Sequence, residues 1–477
     1  MISSIRAVAT RAMAVRHYLR SEPFDTSTQQ GRSKERYRRA ALTALAAAAA
    51  RTVSLVSVLI SIPLALSYLG SERYGVAVTI TALTSMLVFA DFGLGNGLMN
   101  LVASATGKDD EADVRRSISS AFFMLCGIAA LLVVPFYALY ALVPWARFMN
   151  VSDPRSAAEV AAAVGVFLLC VVVNVPLGIV QRVQLAYQQG FVNSIWNAVG
   201  AAVALIGLVL AVQLRAGLPW VVLALVAGPL IANTLNWVSL FIVRRPDLQP
   251  RWSAASRAEG ERLARIGFLF FILQLTVAVA YQSDVVVATR VIGPTAATAY
   301  SVTLRLFLIL PTIVNMALLP LWPAYSESIA RGDTLWVRRT LRISVLIAVS
   351  FSGLSSLVLV VFGRPILRLW TGTDLGADLP LLLGMGVWAV LSNSFNAVAM
   401  LLNGATIMRF QIATALSMMV VSLGASIAGA ILFGVAGIVW GTVVAYVVCT
   451  AIPTALYLPR VMQQLGSRRL VAAEPVA

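Results

Sequence analysis

Histidine occurs once in this 477-residue chain, as His17, and lysine only twice, as Lys34 and Lys108. The first scarcity excludes a histidine proton relay or a histidine-held metal within the apolar part of the chain. The second excludes the phosphate-cradling loop of a P-loop ATPase, because neither lysine sits in a GxxxxGK[ST] pattern. The three cysteines, Cys126, Cys170 and Cys449, fall inside apolar segments and read as small buried hydrophobes, not as a disulfide framework or metal site. No metal or organic cofactor is expected. Charge is scarce as well: 12% of residues are charged and 59% hydrophobic, against about a quarter and about half in a soluble domain. These proportions indicate an all-α, polytopic membrane protein.

Twelve apolar segments follow residue 40, at roughly 40–68, 74–104, 117–144, 157–181, 191–214, 218–243, 264–290, 296–324, 341–363, 379–403, 407–433 and 435–458. Each is long enough for a helix to cross a hydrocarbon core of about 30 Å at about 1.5 Å per residue. The expected organisation is a basic, disordered cytoplasmic tail (1–39), a six-helix lobe (40–243), a cytoplasmic linker (244–263), a second six-helix lobe (264–458) and a cytoplasmic tail (459–477).

The formal net charge of +16 would suggest nucleic acid if it were spread over a soluble surface. Its placement suggests otherwise. With both ends in the cytoplasm, 27 of the 36 Arg and Lys residues fall on the cytoplasmic side and 7 on the other, the asymmetry of a multi-pass membrane protein. A contribution to anionic-lipid binding stays open.

The hairpin 51–105 turns at Tyr68-Leu69-Gly70-Ser71-Glu72-Arg73-Tyr74-Gly75. Arg51 lies 19 residues before Gly70 and Asp91 lies 21 after it, so helical rise puts both about 28 to 32 Å from the turn. A second hairpin repeats the pattern. Val291-Ile292-Gly293-Pro294 leads to Tyr300-Ser301-Val302, with Asp284 nine residues before Gly293 and Arg305 twelve after it. Two six-helix halves with matching hairpins suggest a duplicated transporter whose parallel repeats flank a substrate path. Each acid–base pair reads either as a closed ion pair holding helices together or as part of that path, since a lone charge in oil costs several kcal/mol.

Tyr68 to Gly75, followed by Phe89-Ala90-Asp91-Phe92-Gly93-Leu94-Gly95-Asn96-Gly97, resembles the first-hairpin pattern of the polysaccharide-transport and O-antigen flippases. These belong to the multidrug/oligosaccharidyl-lipid/polysaccharide (MOP) exporter superfamily. Asp284 to Gly293 with Tyr300-Ser301-Val302-Thr303-Leu304-Arg305-Leu306 is similar to that family's helix 7 to 8 region. The resemblance implies two six-helix lobes in a V-shaped, MATE-like bundle. It implies a flippase, not an enzyme, that moves a polyprenyl-diphosphate-linked oligosaccharide by alternating access, with coupling to a proton or sodium gradient. The implied partners are the lipid-linked glycan, membrane lipids and a polysaccharide polymerase or export machinery.

A lipid-linked glycan presents phosphates, sugar hydroxyls and an apolar tail. Guanidinium groups bind phosphate oxygens bidentately, so Arg51, Arg290 and Arg305 are the candidates for guiding the diphosphate. Asn96 and Gln282 stand for a wider set of amides suited to sugar hydroxyls: Asn100, Asn174, Gln181, Gln274, Asn315, Asn393, Asn396 and Asn403. Asp91 and Asp284 are candidates for ion coupling or structural pairing. Two alternatives stay open: a multidrug exporter of organic cations from the same superfamily, which arginines at depth disfavour, and a membrane glycosyltransferase or ligase, which the short outer loops disfavour.

Overall fold

The computed structural model describes residues 24–25, 27–82, 89, 91–148, 154–371 and 377–466. Among them the chain is built from helices. The N-terminal unit, residues 1–268, contains α1 (Gln29–Ala82), α2 (Leu94–Gly107), α3 (Glu111–Leu139), α4 (Pro154–Leu177), α5 (Ile179–Ala186), α6 (Gly190–Gln213) and α7 (Leu218–Val238). Helix α8 (Arg257–Val287) crosses into the C-terminal unit, residues 269–477. That unit adds α9 (Pro294–Phe307), α10 (Ile309–Leu318), α11 (Leu321–Ala330), α12 (Thr334–Thr371), α13 (Leu379–Gly404), α14 (Met408–Tyr446) and α15 (Ile452–Gly466).

Nine stretches among the described residues are long and apolar enough to span a membrane. They do not map one for one onto the twelve apolar segments. The last two run together as Met408–Leu465, and the segment 74–104 is interrupted by residues outside those described.

Local sequence sets the breaks. Gly70, at φ 75°, divides α1, and Gly434, at φ 64°, divides α14; both backbones are left-handed, where glycine carries no Cβ penalty. Gly293, the counterpart of Gly70 in the second hairpin, also takes a positive φ, 128°. Carboxylates cap helix starts: Asp110 accepts from Asp113 N at 2.9 Å ahead of α3, and Asp378 from Leu381 N at 3.2 Å ahead of α13.

Each unit has its own apolar core. Leu69, Val76, Ile80, Phe167, Leu208 and Leu218 are buried together in the N-terminal unit. Phe307, Leu310, Leu381, Met385, Trp388 and Ile438 are buried together in the C-terminal unit.

The basic tail needs correction at its end, because α1 starts at Gln29 and so residues 29–39 are helical. Glu35, 3% exposed, accepts from Arg38 at 2.7 and 2.8 Å, from Arg39 at 2.8 Å and from Phe24 N at 3.0 Å. One acid thus gathers arginines one helical turn away and neutralises part of a stretch that reads as solvated from composition alone.

Candidate functional site

Helical rise alone would put Asp284 and Arg305 at comparable distances from Gly293; the structure gives them different surroundings. Asp284, on α8, is 5% exposed and faces hydroxyl groups instead of a guanidinium. Tyr300 Oη donates to Asp284 Oδ2 at 2.8 Å, Thr442 Oγ1 to the same oxygen at 2.8 Å, and Ser426 Oγ to Oδ1 at 3.0 Å. Ser426 also lies 3.0 Å from Thr442 and 3.2 Å from the Ile438 carbonyl oxygen. No ion pair to Asp284 is formed among the described residues. The result is a buried pocket of oxygen atoms around one carboxylate, supplied by α8, α9 and both halves of α14.

Close backbone approach makes this cluster feasible. A Cβ added at Gly437 would lie 1.9 Å from Gly429 O, so only glycine lets the two halves of α14 pack tightly enough for Ser426 and Thr442 to reach the same carboxylate.

Arg305, on α9, is exposed and lines a cavity of about 770 Å³ within the C-terminal unit. Asn315 and Asn396 share the wall and are joined by Asn396 Nδ2 donating to Asn315 Oδ1 at 2.6 Å. Trp388, Phe395, Phe410 and Tyr446 supply aromatic surface to the same cavity. Val285 and Ser301, the residues after Asp284 and Tyr300, also line it. Adjacent positions on α8 and α9 therefore serve the oxygen cluster and the cavity in turn. An amphipathic ligand would meet one cation, amide groups and aromatic faces here.

The first-hairpin pair separates too. Arg51 is exposed on α1. Asp91 instead caps the start of α2, accepting from Gly93 N at 2.9 Å and Gly95 N at 3.3 Å, and pairs with Arg182 at 3.9 Å. Arg182 Nη1 also donates to Asn96 Oδ1 at 2.8 Å. A Cβ at Gly95 would meet Asp91 Oδ2 at 2.7 Å and Arg182 Nε at 2.8 Å. The distinctive Asp91-to-Gly97 stretch is thus a lock between α2 and α5. Gly95→Val is expected to lower the unfolding temperature of detergent-solubilised protein through overpacking worth about 1–3 kcal/mol, while Gly127→Ala, in a helix interior where nothing lies within 4 Å, does not lower it.

Asn96, expected on the sugar path, is buried and engaged by Arg182. Arg290 is exposed in the last helical turn before Gly293. The Gln282 side chain lies outside the described residues. The wider amide set divides by environment. Gln181 donates to Asn233, which donates to Asn174, at 2.7 and 2.8 Å, and Asn393 donates to Ser352 at 2.9 Å; these tie helices together. Asn315 and Asn396 face the cavity, and Asn393 lines it as well as bonding Ser352.

Sequence reasoning missed Tyr300, Ser426 and Thr442 as partners of Asp284. The available signal was Ser422 and Ser426 four residues apart on an apolar helix, a weak one without their neighbour across the kink. It also missed Glu159, which pairs with Arg73 of the first turn and accepts from Leu218 N at 2.7 Å. Among the described residues no group of three or more His, Cys, Asp or Glu could hold a metal.

The family described as polysaccharide biosynthesis protein matches residues 37–329, more than half of the chain. The chain belongs to that family. This member of the polysaccharide biosynthesis family is 23% identical over 277 residues to a Salmonella typhimurium protein whose name assigns it provisionally to O-antigen transport. The match covers 56% of this chain and spans 61% of that relative's length. Solved structures share the fold. A MATE protein in a bent conformation aligns with a TM-score of 0.77 and 14% identity, covering 92% of this chain and 97% of the other. An outward-facing multidrug-resistance MATE transporter of the MOP superfamily aligns with a TM-score of 0.76 and 13% identity, covering 92% and 99%. A MOP superfamily transporter from Pyrococcus furiosus, noted for the reversed polarity of its binding pocket, aligns with a TM-score of 0.74 and 14% identity, covering 90% and 96%. The fold of the family member is therefore the all-α fold of the MATE and MOP proteins.

Proposed function

We propose that this protein is a flippase that carries a polyprenyl-diphosphate-linked oligosaccharide across the bacterial cytoplasmic membrane by alternating access, with both termini in the cytoplasm. The observation that carries the reading is the exposed guanidinium of Arg305 in a cavity that also offers the Asn315–Asn396 amide pair and four aromatic rings. The guanidinium suits a phosphate oxygen, the amides suit sugar hydroxyls, and the rings suit the apolar faces of sugars or the first isoprene units. Arg51, exposed in the N-terminal unit, and Arg290, exposed in the C-terminal unit, are further guanidiniums suited to phosphate oxygens.

Asp284 is the proposed exchange site for the driving ion. Its carboxylate is surrounded by hydroxyl and carbonyl oxygens and has no described cation beside it. An oxygen-only environment suits a proton or sodium ion. Family membership supports a role in polysaccharide assembly, in which a polymerase or export machinery would take up the delivered glycan.

Deleting the gene should strand lipid-linked repeat units in the inner leaflet, as measured by periplasmic glycosidase protection, and plasmid-borne protein should restore their exposure. Unchanged exposure after deletion, together with dye efflux by the same protein in a pump-deficient strain, would assign it to drug export instead.

A further inference from the structure

The linker after α7 is not a loose connection. Arg251 N donates to Ser119 Oγ at 3.2 Å, Ser256 N donates to Ser120 Oγ at 3.1 Å, and Ser117 Oγ donates to Glu259 Oε1 at 2.6 Å. Three successive anchors fasten it along the polar start of α3. Just beyond them, at Ala121, α3 becomes continuously apolar. There the Trp252 ring stands edge-on to Phe123 at 4.7 Å while remaining 76% exposed. A large indole held at the border between polar and apolar helix surface matches the depth at which tryptophan sits in a bilayer interface. Arg244, which ends the apolar stretch Leu218–Arg244, is exposed, and so is Arg251.

Neighbouring carboxylates do not neutralise these two arginines. Asp247 is taken by Arg245 at 2.7 Å, and hydrogen bonding to that guanidinium holds the Asp247 carboxyl below its usual range. Asp113 and Glu259 face Arg262 at 3.6 and 3.4 Å, and Glu261 faces Arg257 at 3.0 Å. Among the described residues, Arg244 and Arg251 have no carboxylate partner.

We propose that Arg244, Arg251 and Trp252 form a binding site for the headgroup of a resident anionic glycerophospholipid. The guanidiniums would take phosphate oxygens, and the indole would cover the glycerol and first acyl carbons. Each juxtamembrane arginine contributes about 1 kcal/mol of attraction to an anionic lipid, or about fivefold in affinity. The site does not depend on the transported substrate.

Native mass spectrometry of the purified full chain, exchanged into micelles with equal phosphatidylglycerol and phosphatidylcholine, provides the test. The wild type should retain phosphatidylglycerol preferentially. The triple variant Arg244→Gln/Arg251→Gln/Trp252→Ala should lose most of that preference, whereas Arg244→Lys/Arg251→Lys and the control Arg339→Gln in the C-terminal unit should keep it. No preference in the wild type, preference kept by the triple variant, or equal loss in Arg339→Gln would each overturn the site. Matching elution volumes of the variants will separate lipid loss from misfolding.

Discussion

Replacing Arg305 by alanine is expected to cut surface polysaccharide, and the initial rate of glycolipid translocation in proteoliposomes, by about 10- to 100-fold at unchanged expression. The magnitude follows from losing a hydrogen bond to a charged group, about 1.5–3 kcal/mol. Lysine at the same position should recover part of the rate, because it restores the charge without the planar two-pronged geometry. Arg51→Ala and Arg51→Lys should follow the same order with a smaller spread, since Arg51 is not among the residues that enclose the cavity. Arg305 has no ion-pair partner among the described residues, so a loss of activity would not stem from breaking a helix-to-helix salt bridge. Equal polymer in the alanine and lysine variants would remove the phosphate-guiding role.

Asp284→Asn should be comparably damaging for a different reason. The amide keeps the size of the side chain and can still hydrogen-bond Tyr300, Ser426 and Thr442, but it cannot bind or release a proton and loses the charge that attracts sodium. Transport driven by an imposed ion gradient is expected to fall by about 100-fold, while gradient-independent equilibration of substrate between leaflets persists. Thr442→Val and Ser426→Ala each remove one oxygen and should shift the dependence on sodium or proton concentration by about tenfold, in line with about 1.5 kcal/mol for a hydrogen bond to a charged group. Imposing sodium and proton gradients separately identifies the ion. Full gradient-driven transport by Asp284→Asn would leave Asp284 a structural group.

The first-hairpin motif shows how a legible pattern can mislead about role. Asp91 to Gly97 stands out in the sequence, and an aspartate at the depth of an arginine invites an ion-coupling reading. In the fold the carboxylate faces the two amide groups at the start of α2, and Arg182, not Arg51, approaches it. Gly95 is needed because Arg182 crosses directly over it. Asn96 is the acceptor for that arginine, so an amide that suits a sugar is already engaged by protein. The converse holds for Ser426 and Thr442, which look like ordinary small residues of an apolar helix and turn out to surround the buried carboxylate.

The sequence alone determined that the chain is helical and membrane-spanning, and that glycine breaks the helices at the two turns, Gly70 and Gly293. Those properties follow from apolar run length, glycine position and a fixed rise per residue, all of them local. Only the tertiary structure decided that Asp284 faces hydroxyls, that Arg305 opens into a cavity and that Asp91 serves as a cap. Rise fixes depth along a helix, but the direction of a side chain around the axis acquires meaning only when packing places a neighbour there, and the neighbours here come from helices as much as 158 residues away.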